Sequence, residues 1–166
     1  GATGSSPQTS LSLHTSRGTR LQLTINEHYQ PLQRGGEGKA SGGLVFVGYG
    51  ISAADDNYDE YADVDVGGKT IVVIRRVPGQ GDVDSPFSGE STSPHAYISS
   101  KLKQAANHKA AAVLFVNDPY TVLDSATDKL VAMDGFGSRS QGVPFLQIRQ
   151  SVLDQVLSES PLTTGE

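Results

Sequence analysis

Thr70-Ile71-Val72-Val73-Ile74, the segment Ile98 to Ala106, and Ala112-Val113-Leu114-Phe115-Val116 together decide the fold. The first and third are short unbroken apolar runs rich in β-branched residues, the pattern of strands buried on both faces. Between them apolar residues recur at helical spacing. Ile98, Leu102, Ala105 and Ala106 line one face, with Lys101, Lys103 and Lys109 on the other or at its edge. Ser93-Pro94 supplies an N-cap and a proline for the first helical position. Strand, helix and strand in that order imply a parallel pair joined by a right-handed crossover.

Upstream, Gly67-Gly68-Lys69 turns the chain into the first of these strands, and Leu44-Val45-Phe46-Val47 is a further apolar run ending in Gly48-Tyr49-Gly50. Residues 33–43 form a glycine-rich turn region. Leu21, Leu23 and Ile25 alternate with polar residues as a half-buried strand does. Residues 1–18, polar and rich in Ser and Thr, read as a flexible leader or linker. Downstream, Val143 to Ile148 reads as a strand with Pro144 near its start. Val152, Leu153, Val156 and Leu157 mark a terminal helix, and 161–166 a linker stub. One domain over 19–160 accounts for the pattern.

Composition narrows the function. The chain has 166 residues with 19 Gly and 8 Pro, which favours a sheet-rich fold with long connections. Its formal net charge of −5 offers no basic face for phosphate, which argues against nucleic acid and anionic membrane as partners. No cysteine is present, so disulfides, thiolate metal sites and cysteine nucleophiles are excluded. The longest apolar run, Ala110 to Val116, is far short of a membrane span.

The motifs that could carry chemistry each break at a decisive position. Gly48-Tyr49-Gly50-Ile51-Ser52-Ala53 fits a dinucleotide pattern, but Asp55, Asp56, Asp59 and Glu60 follow where a helix should receive a pyrophosphate. A tight turn is the simpler use of Gly48 and Gly50. Gly68-Lys69-Thr70 resembles the tail of a phosphate-binding loop, yet it leads into a strand. Asp55, Asn57, Asp59 and Asp63 have the spacing of a calcium loop, but Glu60 stands where its glycine should be and Val66 where its bidentate Glu should be. The simpler reading of 55–65 is a solvated turn whose tyrosines pack inward. His14, His28, His95 and His108 form no metal-binding spacing, and no Gly-x-Ser-x-Gly elbow occurs. The reading assigns no catalytic and no metal residue.

Read in order, Leu44 to Ile51, Tyr58-Asp59-Glu60-Tyr61-Ala62, Asp65 to Lys69 and the strand Thr70 to Ile74 resemble the protease-associated domain of two-zinc aminopeptidases, the aminopeptidase S and aminopeptidase Y group. Further matches are Pro78, Asp84-Ser85-Pro86-Phe87, the helix-to-strand segment from Lys101 to Val116, and Val143-Pro144. Glu60 departs from the group, which usually has a second Asp there, as do Gly67 and Ala110-Ala111. The resemblance implies an α+β, swivelling β/β/α fold: a mixed β-sandwich or partial barrel with flanking helices. It also implies a non-catalytic module of an exported, secreted zinc aminopeptidase. In that role it shapes substrate access or binds peptide and protein segments near the active site. The zinc belongs to the peptidase domain of the same chain, with no cofactor in this fragment.

The long loops Pro78 to Ser93 and Asp118 to Gly142 are the candidate contact regions. Phe87, Tyr120 and Phe136 are their aromatic anchors, with Asp134 and Arg139 beside them in the second loop. The competing reading is a free-standing protein-binding or sorting module with no peptidase partner.

Overall fold

The computed structural model describes residues 9–32, 35–87, 93–131 and 142–158. Strands β1 (Tyr29–Pro31), β2 (Leu44–Phe46), β3 (Ser52–Ala53), β4 (Tyr58–Asp59), β5 (Thr70–Ile74), β6 (Ala112–Val116) and β7 (Phe145–Ile148) are joined by helices α1 (Ile98–Asn107) and α2 (Gln150–Ser158). Five strands form one mixed sheet in the order β1-β7-β6-β5-β2, and β3 pairs with β4 as a separate antiparallel ribbon. β2, β5, β6 and β7 run parallel, and β1 is antiparallel to β7.

The β5–α1–β6 unit forms as its sequence dictates, with Thr70 to Ile74 registered in parallel against Ala112 to Val116. Because side chains alternate across a strand, the two runs feed both faces of the sheet. Ile71, Val73, Val113 and Phe115 join Leu102 and Ala105 of α1 in one cluster. Val72, Leu114 and Val116 join Val152 of α2, with Leu13 and Leu21, in the other. The expected sandwich or partial barrel does not form among the described residues. The sheet is open, with β1 and β2 as its edges. Both faces of its central strands are already covered by helices and the first described segment, so no face is left for a second sheet.

Three local expectations change. Residues 9–18 do not behave as a loose leader. Leu13 and Thr15 are buried, Leu21 N donates to Leu13 O at 2.9 Å, and Thr15 and Thr19 close a turn between them. The alternation at 21–25 packs Leu21 and Leu23 but makes only an isolated bridge, Ile25 to Tyr29. The strand is instead Tyr29–Pro31, recruited by β7. Ser93 does cap a helical turn, its Oγ accepting from His95 N at 3.3 Å, but that turn is a separate 3-10 segment before α1.

The remaining difference is Lys101, which is only 3% exposed and sits on the buried face of α1. Ile98, Lys101, Leu102 and Ala105 are spaced i, i+3, i+4 and i+7, so the lysine belongs to the apolar stripe. Ala106, assigned to that stripe, is exposed.

Candidate functional site

The parallel strands β2, β5, β6 and β7 end on the same side of the sheet, where ligands of open α/β sheets generally bind. Most of the buried polar groups among the described residues gather there. After β2, Gly48 and Gly50 adopt left-handed φ angles of 51° and 63°. This turn presents the amides of Tyr49 and Ile51 to the Glu60 carboxylate. Tyr49 N lies 3.0 Å from both Glu60 oxygens, and Ile51 N lies 3.0 Å from Oε2. A Cβ on Gly48 would collide with that carboxylate. The glycine pair makes the tight turn read from its spacing, and that turn also forms an anion pocket whose anion is the chain's own Glu60.

The other side of the same turn is held by Lys101. Its Nζ donates to Tyr49 O and stands 5.7 Å from the centre of the Tyr49 ring. Burial lowers the Lys101 pKa to about 7, against a smaller opposing pull from Glu60. Burial likewise raises Tyr49, Tyr58 and Tyr61, with the Glu60 charge adding to each.

Beyond β5 and β6 the centre is Asp118, fully buried. Its Oδ1 accepts from Thr121 N at 2.9 Å and Gln80 Nε2 at 3.2 Å. Its Oδ2 accepts from Thr121 Oγ1 at 2.6 Å and faces Arg76 Nε at 3.3 Å. Arg76, with φ of 65°, takes a left-handed conformation to do so. The half-buried Arg75 beside it has its pKa lowered by burial and then by the Arg76 charge, with Asp118 opposing.

A second network ties down the loop between β6 and β7. Asn117 Nδ2 donates to Asp128 Oδ1 at 2.9 Å and Lys129 O at 3.0 Å. Gln147 Oε1 accepts from Val131 N at 2.7 Å, and Asp128 Oδ2 accepts from Gln150 N at 2.7 Å. These buried groups spend their capacity on one another and on loop backbone.

The loops so fixed carry apolar side chains outward. Gln80 and Asp118 bond across the two loops, and Tyr120 OH lies against Gly81. Tyr120 is 60% exposed, with Val83 at 90% two residues after Gly81 on one loop and Leu123 at 82% three residues after Tyr120 on the other. Of the anchors read from sequence, Tyr120 is therefore available for contact. Phe87 is not: it is buried in a cluster with Ile51, Ala53 and Val77, edge-on to Tyr58 at 4.9 Å and His95 at 5.6 Å. Asp134, Phe136 and Arg139 lie outside the described residues. Val83 and Leu123 went unremarked in the sequence; the signal was a lone apolar residue between Asp82 and Asp84, and the Val122-Leu123 pair before Asp124.

The acidic stretch is spent on turns. Asp59 Oδ1 accepts from Tyr61 N at 3.0 Å, and Asp65 pairs with Lys69 at 3.0 Å. Tyr61 is buried, stacked on His108 with ring centres 4.2 Å apart. Among the described residues no three His, Asp or Glu side chains gather as metal ligands.

These elements define a mixed α/β domain whose long loops are pinned at the carboxyl edge of its sheet. That fold is similar to part of the aminopeptidase from Aneurinibacillus sp. strain AM-1, with a TM-score of 0.50 and 20% identity over 80% of this chain. The chain spans 24% of that aminopeptidase's length. No protein-family model and no curated protein matches it.

Proposed function

We propose that this chain is a protease-associated domain of an exported zinc aminopeptidase, an accessory module that performs no bond cleavage itself. The observation that carries the reading is the division of labour at the carboxyl edge. Buried polar groups there hold the loops, and the side chains those loops offer outward include the apolar Val83, Tyr120 and Leu123 beside the exposed acids Asp82, Asp84 and Asp124. A surface of that kind suits contact with a protein or peptide, since a few anchors, tyrosine prominent among them, carry most interface energy. The motif order from Leu44 to Ile74 and the fold likeness to an aminopeptidase support the choice of a peptidase as partner. The zinc of that reading belongs to the peptidase domain of the same chain.

The test compares the parent peptidase with a version lacking this segment, on short and long peptides. Altered KM or turnover that depends on peptide length supports the reading. Unchanged kinetics on both would end it, as would aminopeptidase activity in the isolated 166-residue chain.

A further inference from the structure

The two edges of the five-stranded sheet are not equivalent. In the antiparallel pairing of β1 with β7, Leu32 N donates to Phe145 O and Arg149 N to His28 O. That phase points Gln30 inward and turns the backbone of Tyr29 and Pro31 outward. Pro31 has no N–H to offer, and Tyr29 O is already taken by Asn26 N at 2.8 Å. This edge is blunted against further pairing.

β2, though also short, carries neither a proline nor a self-bonded outward carbonyl. Val47 N donates to Val72 O at 3.1 Å, which in a parallel ladder sets Val45 and Val47 towards β5 and Leu44 and Phe46 away from it. Outside the β5 ladder, no described residue hydrogen-bonds the Leu44 or Phe46 backbone. No charged residue stands between Lys39 and Asp55 to repel an incoming strand. A Cβ placed on Gly42 or Gly43, just before the strand, meets nothing. Phe46 is 54% exposed on the sheet face that Leu44 shares.

We infer that β2 is a pairing edge and that its occupant is β2 of a second copy of this chain. Set antiparallel about a two-fold axis through Val45, the strand is complementary to itself. Leu44 N–H meets Phe46 C=O of the other copy, Phe46 N–H meets its Leu44 C=O, and the symmetric pair repeats this. Opposed residues share a face, so each exposed Phe46 ring lies against a Leu44 side chain. The uncharged segment avoids the like-charge repulsion that a net charge of −5 would otherwise bring to a self-contact. The strand is short, so the association is concentration-dependent rather than obligate. It uses a different surface from the loops of the proposed function and stands or falls apart from it.

Sedimentation equilibrium of the whole chain, from micromolar to millimolar, tests this. The wild type is expected to move from monomer to dimer. Phe46→Pro copies onto β2 the device already present at Pro31, removing an outward donor and no β5 bond. Phe46→Lys sets a charge against Leu44. Each should weaken the dimer by about tenfold or more, with the far-ultraviolet circular dichroism of a folded chain retained. A chain that stays monomeric throughout overturns the inference, as does a dimer that both variants leave unchanged. A monomer whose β2 amide signals shift only with a blocked peptide of sequence GGLVFV overturns the second copy in favour of a foreign strand.

Discussion

The Glu60 carboxylate lies 3.0 Å from Tyr49 N through both of its oxygens, closing the Gly48-Tyr49-Gly50 turn from outside. A residue eleven positions downstream thereby fixes the path by which β2 leaves the sheet. The pocket that might have taken a ligand anion is part of the domain's own framework.

Removing that carboxylate should therefore cost stability directly. Glu60→Ala strips the amides of Tyr49 and Ile51 of their charged acceptor, and each is partly shielded from water. A loss of about 2–3 kcal/mol is expected, the usual scale for hydrogen bonds to a charged group. Urea unfolding followed by circular dichroism measures it, and a loss below about 0.5 kcal/mol would show the turn to be held by other contacts.

Lys101 should give the fold a pH dependence of unusual sign. Its pKa falls from 10.5 in a model peptide to about 7 in the fold. Between those values the unfolded chain holds a proton that the folded chain has released, so stability rises with pH across that window. Above about pH 10 the tyrosines work the other way. Tyr58 and Tyr61 are raised, so the unfolded chain sheds protons that the folded chain keeps. Thermal midpoints of the wild type should climb between pH 7 and about 9.5 relative to Lys101→Met, which has no group to titrate there. Parallel curves for the two proteins would show that the ammonium remains charged in its buried site.

How much of this was legible in the sequence depended on whether a segment's environment is set by itself or by others. β5, α1 and β6 were legible because their own patterns demand burial. β1 was not: Tyr29-Gln30-Pro31 becomes a strand only because β7 offers it an edge. The burial of Lys101 was half legible. It was read onto the polar face or its edge although its i+3 spacing from Ile98 belongs to the stripe, and only the fold of residues 49–60 over α1 supplies the carbonyl that receives it. Phe87 misled for a related reason, since loop aromatics cannot announce whether they turn inward. The pinning of the loops by Asp118 and Asn117 rests on contacts between distant segments, which no local pattern encodes.

Asp118 and Arg76 should separate sharply on mutation although they form a pair. Asp118→Ala leaves Thr121, Gln80 and Arg76 without their buried acceptor and should cost about 3 kcal/mol or more. Arg76 has a half-exposed side chain, so Arg76→Ala should cost less than about 1 kcal/mol in lost pairing. Its φ of 65° adds a second effect. Arg76→Gly removes the same guanidinium while relieving the left-handed backbone, and should be about 1 kcal/mol more stable than Arg76→Ala. Denaturation midpoints of the three variants decide this. An Arg76→Gly protein no more stable than Arg76→Ala would mean that the backbone there carries no strain.

Phe87 and Tyr120 were alike in sequence as loop aromatics, and the structure gives them opposite environments. Phe87 fills the cluster formed by Ile51, Ala53 and Val77, with Tyr58 and His95 each in T-shaped contact with its ring. Truncating it leaves a cavity, so Phe87→Ala should lose about 3–5 kcal/mol of stability. Tyr120 gives most of its surface to solvent and rests on Gly81. Tyr120→Ala should change stability by less than about 0.5 kcal/mol. If the chain is the accessory module of a peptidase proposed above, the order reverses in that parent. Tyr120→Ala, combined with Leu123→Ser, should then alter KM for long peptides at unchanged stability, since both side chains are exposed on the pinned loop. A double variant that leaves both stability and long-peptide kinetics untouched would remove these loops from the function, even with the rest of the domain's role intact.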